Sequence, residues 1–162
     1  MSDRIAVMNL GRVLQVAPPR QIYAAPATRF VADFIGSTNF LSGALCYRQK
    51  GLALVDLDGM GMCRAPWQEG LAAGQRLTLA VRPEQLRLSC PAGEADWNHL
   101  TAVLEEIIFI GEDTQYILRL PSGERLVLRQ QNQTPAAGEA DLQPGQQLEV
   151  FWPPASTSIL LE

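Results

Sequence analysis

Hydrophobic and polar residues alternate in short stretches along most of this chain. Near the start, Ile5 and Val7 alternate with small or polar neighbours, the turn Asn9-Leu10-Gly11 follows, and Val13 to Val16 forms a second stretch. Alternation with a period of two is typical of strands that bury one face, so this pattern predicts a β-hairpin. Pro18-Pro19 ends the hairpin, because neither proline can donate a hydrogen bond to a ladder.

A helical pattern follows the hairpin. Arg20 to Tyr23 is long enough for about one helical turn before Pro26. Thr28 is a suitable N-cap for a second helix, whose apolar residues fall at helical spacing from Phe30 to Ile35. Gly36 is placed to end that helix. The first 36 residues therefore predict a hairpin and two short helices.

From residue 37 onwards the pattern is that of strands alone. Asp58-Gly59 and Pro121-Ser122-Gly123 are turn sequences, and regions 89–97 and 132–145 have the composition of loops. Many short strands at this spacing predict a mainly β protein, a barrel or a sandwich. No internal repeat is evident in the sequence. The predicted strands are Phe40–Tyr47, Leu52–Leu57, Leu77–Val81, Ala102–Ile110, Thr114–Leu120, Arg125–Arg129, Leu148–Trp152 and Ile159–Leu161.

Charge and cysteine content exclude several classes of protein. The 162 residues carry a net charge of −4, and the 13 basic residues are scattered, so nucleic acid is not an expected partner. Three separated cysteines indicate reduced thiols in a cytosolic protein rather than a disulfide framework or a zinc site. No apolar run approaches the roughly 20 residues that a membrane span needs, so we expect a soluble chain.

Catalytic motifs are absent from the sequence. A phosphate-binding P-loop needs a lysine after a glycine-rich loop, and the only lysine, Lys50, has no such context. His99 is the only histidine and has no serine or metal-ligand pattern around it. Glu105 and Glu106 are adjacent on a predicted strand and therefore point to opposite faces, so both are interpreted as surface charge. We expect no enzyme activity, no metal and no cofactor in this chain.

Two motifs are candidates for binding. Arg82-Pro83-Glu84 follows the strand that ends at Val81, and Pro83 stops this strand. Arg82 is suited to binding an anion with two hydrogen bonds, or to pairing with Glu84 or another carboxylate. Ile108 and Ile110 belong to a strand end that is apolar on both faces, which indicates that this end packs against a second module or a dimer partner. We therefore take Arg82, Glu84, Ile108 and Ile110 as candidate ligand or interface contacts.

Several strings of residues resemble one known family. The segments Ser2 to Asn9, Gly11 to Val16, Arg20 to Tyr23 and Phe30 to Gly36 resemble the end of the ATP-binding subunit of ABC importers. The subclass is the one that imports polyamines, ferric iron, sulfate or sugars, and the residues at 39–43 favour the spermidine/putrescine type.

A second set of residues resembles the C-terminal TOBE domain of the same subunit. Asn39-Phe40-Leu41 with Gly43 is similar to its entry, and Val81-Arg82-Pro83-Glu84 and Phe109-Ile110-Gly111 are similar to its recurring motifs. The resemblance implies an OB-like or MOP-like TOBE barrel at residues 37–162. Residues 1–36 would be the last hairpin and helices of an α/β ATPase domain.

The resemblance implies a non-catalytic role for this chain. The Walker, signature and switch-histidine motifs of the family have no counterpart here, so ATP and magnesium would bind in a longer parent subunit of which this is a piece. The expected role is to regulate or dimerise that subunit, with a second copy and membrane permease subunits as partners, on the cytoplasmic face of the membrane. The alternative is a module that senses a small anion or metabolite, with Arg82 as its first contact. Because the hairpin and the apolar strand end both lack partners in the sequence, we expect a dimer.

Overall fold

The structure of this chain, a computed structural model, describes residues 2–132 and 141–160. It contains a small N-terminal unit followed by two larger antiparallel sheets. The N-terminal unit comprises β1 (Ile5–Asn9), β2 (Arg12–Ala17), α1 (Pro19–Ala24) and α2 (Arg29–Ile35). The remaining strands are β3 (Asn39–Gln49), β4 (Leu52–Asp56), β5 (Met62–Pro66), β6 (Arg76–Val81), β7 (Asn98–Ile110), β8 (Asp113–Arg119), β9 (Arg125–Gln131), β10 (Gln147–Trp152) and β11 (Thr157–Leu160).

The N-terminal hairpin packs on the two short helices of its own segment. Val7 and Ala17 of the hairpin bury against Ile22 of α1 and Val31 of α2. The hairpin, for which the sequence shows no partner, is therefore covered on its inner face by α1 and α2. Its outer face remains open, and Leu10 at the turn is 95% exposed.

Local signals in the sequence are confirmed in this region and beyond it. The side chain of Thr28 accepts a hydrogen bond from the backbone N–H of Val31, which is the predicted N-cap of α2. Asp58 and Gly59 both have positive φ, at 53° and 85°, as the predicted hairpin turn requires. Strand β5 was not predicted. Most of the predicted loop 132–145, and the last residue of the strand predicted at Ile159–Leu161, lie outside the described residues.

The two large sheets enclose one apolar core. Their strand orders are β11-β6-β3-β4-β5 and β10-β7-β8-β9. Leu41 and Leu79 of the first sheet and Leu118 and Trp152 of the second are fully buried between them. This arrangement agrees with the mainly β, OB-like class predicted from the sequence.

The two sheets are two copies of one structural unit. In each, four consecutive strands follow the same order: β6-β3-β4-β5 in one and β10-β7-β8-β9 in the other. The first strands of the two units read NFLSGAL at 39–45 and NHLTAVL at 98–104. Each last strand is followed by a short 3-10 turn, Pro83–Gln85 after β6 and Pro154–Ser156 after β10.

Backbone hydrogen bonds repeat in detail between the two units. The N–H of Leu45 donates to the carbonyl of Gln75 at 2.9 Å, and the N–H of Leu104 donates to the carbonyl of Gln146 at 2.8 Å. Both β3 and β7 carry a register shift directly after these leucines. The internal repeat that the sequence did not reveal is therefore a property of the fold.

Each unit also extends into the sheet of the other. After its 3-10 turn the first unit places Arg87 beside Phe151 of β10, with both backbone hydrogen bonds at 2.8 Å. In the same way, the second unit places β11 in the sheet of the first unit, where β11 pairs with β6. This exchange joins the two units along one edge of each sheet.

Two buried asparagines close the opposite edges. Asn39 of β3 donates from Nδ2 to the carbonyl of Val127 in β9 at 2.8 Å and accepts from the Val127 N–H at 2.7 Å. Asn98 of β7 makes the same pair of bonds with Arg64 of β5, at 2.8 and 2.7 Å. Each amide replaces the missing neighbour strand of a sheet edge, which satisfies backbone groups that burial would otherwise leave unpaired.

Replacing Asn98 by alanine tests the role of these bridges. The substitution removes both bonds to Arg64 and leaves its backbone N–H and carbonyl without a partner, which costs about 2–3 kcal/mol of unfolding free energy. Urea unfolding followed by tryptophan fluorescence measures the change. Gln49→Ala, at an exposed strand end, is the control and should change the stability little. Equal effects of the two substitutions would contradict the bridging role.

Candidate functional site

Arg82 lies immediately after β6, and its side chain is buried between the barrel and the N-terminal segment. Its guanidinium donates from Nη1 to the carbonyls of Ala32 at 2.9 Å and Gly36 at 2.8 Å, and to the hydroxyl of Thr38. Nη2 donates to the carbonyl of Tyr23 at 3.3 Å. These acceptors are neutral, so neither the predicted pairing with Glu84 nor another carboxylate partner is found for Arg82 within the described residues.

The end of α2 explains why an arginine is accommodated there. The last carbonyls of a helix have no partner inside the helix and carry partial negative charge. Arg82 supplies donors to Ala32 and Gly36 at this end, and its guanidinium stacks 4.4 Å from the ring of Tyr23. Burial lowers the pKa of Arg82 from its ordinary value, because desolvation disfavours the charged form. We call this set of contacts, made by Arg82 to Tyr23, Ala32, Gly36 and Thr38, the Arg82 clamp.

Glu84 lies apart from the Arg82 clamp. It is half-buried in the 3-10 turn Pro83–Gln85. Its negative charge interacts with Arg129 of β9. The pKa of Arg129 is raised mainly by the hydrogen bond to Asp113 and to a smaller extent by the charge of Glu84. The structure therefore separates two residues that the sequence places two positions apart.

A cavity of about 210 Å³ opens beside the Arg82 clamp. One wall comes from α1 and the residues after it, another from the end of β6, and a third from the 3-10 turn Pro154–Ser156 and β11. Most of these residues are small or uncharged, and no single sequence motif joins them, so only Arg82 was foreseen. The lining consists of Tyr23, Ala24, Pro26, Thr38, Ala80, Val81, Arg82, Gln85, Ala155, Ser156 and Ser158.

The second candidate feature is the end of β7, where the apolar run reaches solvent. Phe109 is 78% exposed and Ile110 is 50% exposed, whereas Ile107 packs partly on the core. Ile108 is half-buried. The run is thus not buried on both faces within one chain, and the open surface of Ile108, Phe109 and Ile110 is called here the apolar tip.

The remaining polar candidates have structural partners. His99 lies beside the ring of Phe151, with 6.1 Å between the ring centroids. Glu105 forms ion pairs with Arg119 at 2.5 Å and Arg125 at 3.2 Å, across β8 and β9. Within residues 2–132 and 141–160, no three His, Cys, Asp or Glu side chains are grouped closely enough to hold a metal ion. No helix in the same part of the chain is long and apolar enough to cross a membrane.

The three cysteines are unpaired and differ in their exposure. Cys46 and Cys90 are exposed and Cys63 is buried in the core. Burial raises the pKa of the Cys63 thiol to about 12. A thiol that stays protonated in the interior is chemically inert, so Cys63 serves packing.

Comparison with protein families finds one match. The model of the TOBE domain matches residues 79–160, which is half of the chain and runs from β6 to β11. This range contains Arg82, Glu84 and the apolar tip. The N-terminal segment and most of the first structural unit, including β3, β4 and β5, lie before it.

Curated relatives match almost the whole chain. The spermidine/putrescine import ATP-binding protein PotA of Rubrobacter xylanophilus is 46% identical over 154 residues, covering 94% of this chain and 39% of the relative. PotA 1 of Pseudomonas aeruginosa is 44% identical over 143 residues, covering 86% and 38%. The PotA of Acidothermus cellulolyticus is 38% identical over 156 residues, covering 95% and 40%. The chain thus spans about two fifths of the length of these relatives.

A solved structure shares the fold. The cytoplasmic molybdate-binding protein ModG, in a crystal form with molybdate bound, superposes with a TM-score of 0.62 at 19% sequence identity. The match covers 76% of this chain and 96% of that chain. At this level of identity the similarity concerns the architecture.

Proposed function

Because this chain belongs to the TOBE-domain family, we propose that it is the C-terminal regulatory and dimerisation segment of the ATP-binding subunit of an ABC importer, with polyamines as the solute. The extent of similarity to the spermidine/putrescine ATP-binding proteins supports this assignment, since the match covers both the N-terminal segment and the barrel. ATP and magnesium would bind, and ATP would be hydrolysed, in the part of the subunit that this chain does not span. The partners of the whole subunit would be a second copy of itself and membrane permease subunits, at the inner face of the membrane.

The main observation in favour of a dimerisation role is the apolar tip. Phe109 and Ile110 expose large side chains at the end of the longest strand. Aromatic residues are enriched at the buried centre of protein interfaces, and adjacent exposed apolar side chains mark surfaces for interaction. A contact remote from ATP would hold two subunits together while their ATPase domains open and close, because it keeps their effective concentration high.

Self-association of the chain tests this role. We expect a dimer by light scattering at high micromolar concentration, and we expect Phe109→Asp to weaken it at least roughly tenfold, because a charge would be buried at the interface centre. Met62→Asp, at an exposed apolar position on β5, is the matched control and should leave the dimer intact. A wild-type chain that stays monomeric at these concentrations would refute the dimerisation role.

A second candidate function is the sensing of a small ligand. The cavity beside the Arg82 clamp favours it, because a positively charged side chain lines a space between the N-terminal segment and the barrel. The two functions are compatible, since the cavity and the apolar tip have no residue in common.

A further inference from the structure

We propose that the cavity beside the Arg82 clamp binds a small organic carboxylate and that the bound ligand joins the N-terminal segment to the barrel. The inference rests on the second candidate function and gives it a location and a ligand class. It does not depend on self-association through the apolar tip.

The positive charge of Arg82 favours an anionic ligand. Arg82 is 7% exposed and carries a full positive charge, yet its guanidinium contacts carbonyls, a hydroxyl and an aromatic ring. The described lining of the cavity contains no aspartate or glutamate. The partial negative charge at the end of α2 offsets only part of this buried positive charge, so an anion entering from the cavity side would be stabilised by the guanidinium.

Neutral donors are also present in the lining. The hydroxyl of Ser156 donates to Oε1 of Gln85 at 2.8 Å, which engages the amide oxygen, so the NH₂ group is the part of this side chain that can donate to a ligand. The hydroxyl of Ser158 donates to the carbonyl of Ala24 at 3.0 Å and so ties β11 to the end of α1. Gln85 is therefore the neutral donor that we assign to the second carboxylate oxygen.

The size of the cavity and its apolar lining narrow the ligand class. At about 210 Å³ the cavity lies below the roughly 300–1,000 Å³ of pockets that hold drug-sized ligands, so it suits a small molecule. Small apolar side chains line part of the space, including Pro26, Ala80, Val81 and Ala155. A carboxylate with a short aliphatic part satisfies both the charged and the apolar walls, whereas a tetrahedral inorganic oxyanion reaches only the charged part.

The position of the cavity predicts what binding does. Tyr23, Ala24 and Pro26 come from the N-terminal segment, and Arg82 and Ser156 come from the two units of the barrel. A ligand that contacts all three walls stabilises their mutual arrangement. In the proposed parent subunit it would strengthen the connection between the end of the ATPase domain and the regulatory barrel.

Thermal unfolding of the chain in matched ionic strength tests the proposal. The probes are acetate, propionate, lactate and succinate, with the corresponding neutral amides, sulfate, phosphate and molybdate as comparisons. A carboxylate at roughly a hundred times its Kd should raise the Tm of a chain of this size by about 5–10 °C, and the amides should leave it unchanged. Stabilisation by the inorganic oxyanions alone, or by none of the probes, would overturn the proposal.

A variant that narrows the cavity tests the site without altering Arg82 or its contacts. Ala155→Leu places a larger side chain at the exposed rim and should abolish the carboxylate-dependent rise in Tm while the unliganded Tm changes little. Ala73→Leu, exposed in a loop away from the cavity, is the matched control and should keep the full response. Loss of the response in both variants, or in neither, would place the ligand elsewhere and refute the site. Light scattering of the same samples measures the oligomeric state independently of the Tm. A negative ligand test therefore does not affect the test of dimerisation.

Discussion

Arg82→Ala is expected to destabilise the chain by about 3 kcal/mol and to release the N-terminal segment from the barrel. The substitution removes the donors to Ala32, Gly36 and Thr38 and leaves the carbonyls at the end of α2 without these partners in a partly buried place. The stacking contact with Tyr23 is lost as well. For a chain of this length the Tm should fall by about 6–12 °C.

Amide hydrogen exchange distinguishes the clamp from a general effect on the core. In Arg82→Ala, exchange should accelerate at least about tenfold in α1 and α2, with much smaller changes in β7 and β8, because the clamp holds the helices and not the second sheet. Arg82→Lys should recover only part of the stability, since an ammonium lacks the planar fork and the aromatic stacking of a guanidinium.

The control for this experiment is Arg20→Ala. Arg20 is exposed on α1, so its removal takes away one positive charge from the same segment without touching the clamp. A Tm that falls equally in Arg20→Ala and Arg82→Ala would show that net charge, and not the clamp, governs the stability of the segment.

Trp152→Ala is expected to cost about 3–5 kcal/mol, the range for deleting a large buried aromatic side chain. Trp152 is fully buried at the end of β10, in the core shared by both sheets. Its indole N–H also donates to the hydroxyl of Thr157 at 2.9 Å, and the same hydroxyl accepts from Asn98 at 3.3 Å. The truncation thus creates a cavity and also removes a donor from a buried polar network.

Chemical denaturation followed by circular dichroism measures this loss. Trp97→Ala is the matched control, because Trp97 is a half-exposed loop residue whose indole N–H bonds to Glu94 at 3.1 Å. Its removal should cost less than about 1.5 kcal/mol. If the two tryptophan variants unfolded at the same denaturant concentration, the proposed role of Trp152 in joining the sheets would be wrong.

The class of fold could be predicted from the sequence because its signals are local. Alternation around Leu77, Leu79 and Val81 marks a strand, Asp58-Gly59 marks a turn, and Thr28 marks a helix start. In each case the residues that decide the structure lie within one element, and the structure places them as predicted. The resemblance to the TOBE domain rested on similarly short strings, and the family comparison agrees with it.

The internal duplication escaped sequence reasoning for a different reason. NFLSGAL and NHLTAVL share only their asparagine and two leucines, and the connection before the last strand differs in length, with nine residues between β5 and β6 and fifteen between β9 and β10. Packing tolerates most substitutions that keep a buried face apolar, so the remaining similarity is too small to recognise. The equivalent asparagines become evident once Asn39 and Asn98 are seen to bridge the sheet edges in the same way.

The sequence by itself determined the mainly β class and the caps and turns. The tertiary structure decided what Arg82 contacts and which residues share its cavity. The physical reason is the distance along the chain: Arg82 is about fifty residues from Ala32, and its cavity also takes Ser156 and Ser158 from the far end. Contacts between residues so far apart in the sequence depend on how the two sheets and the two helices pack together. No local sequence pattern predicts them.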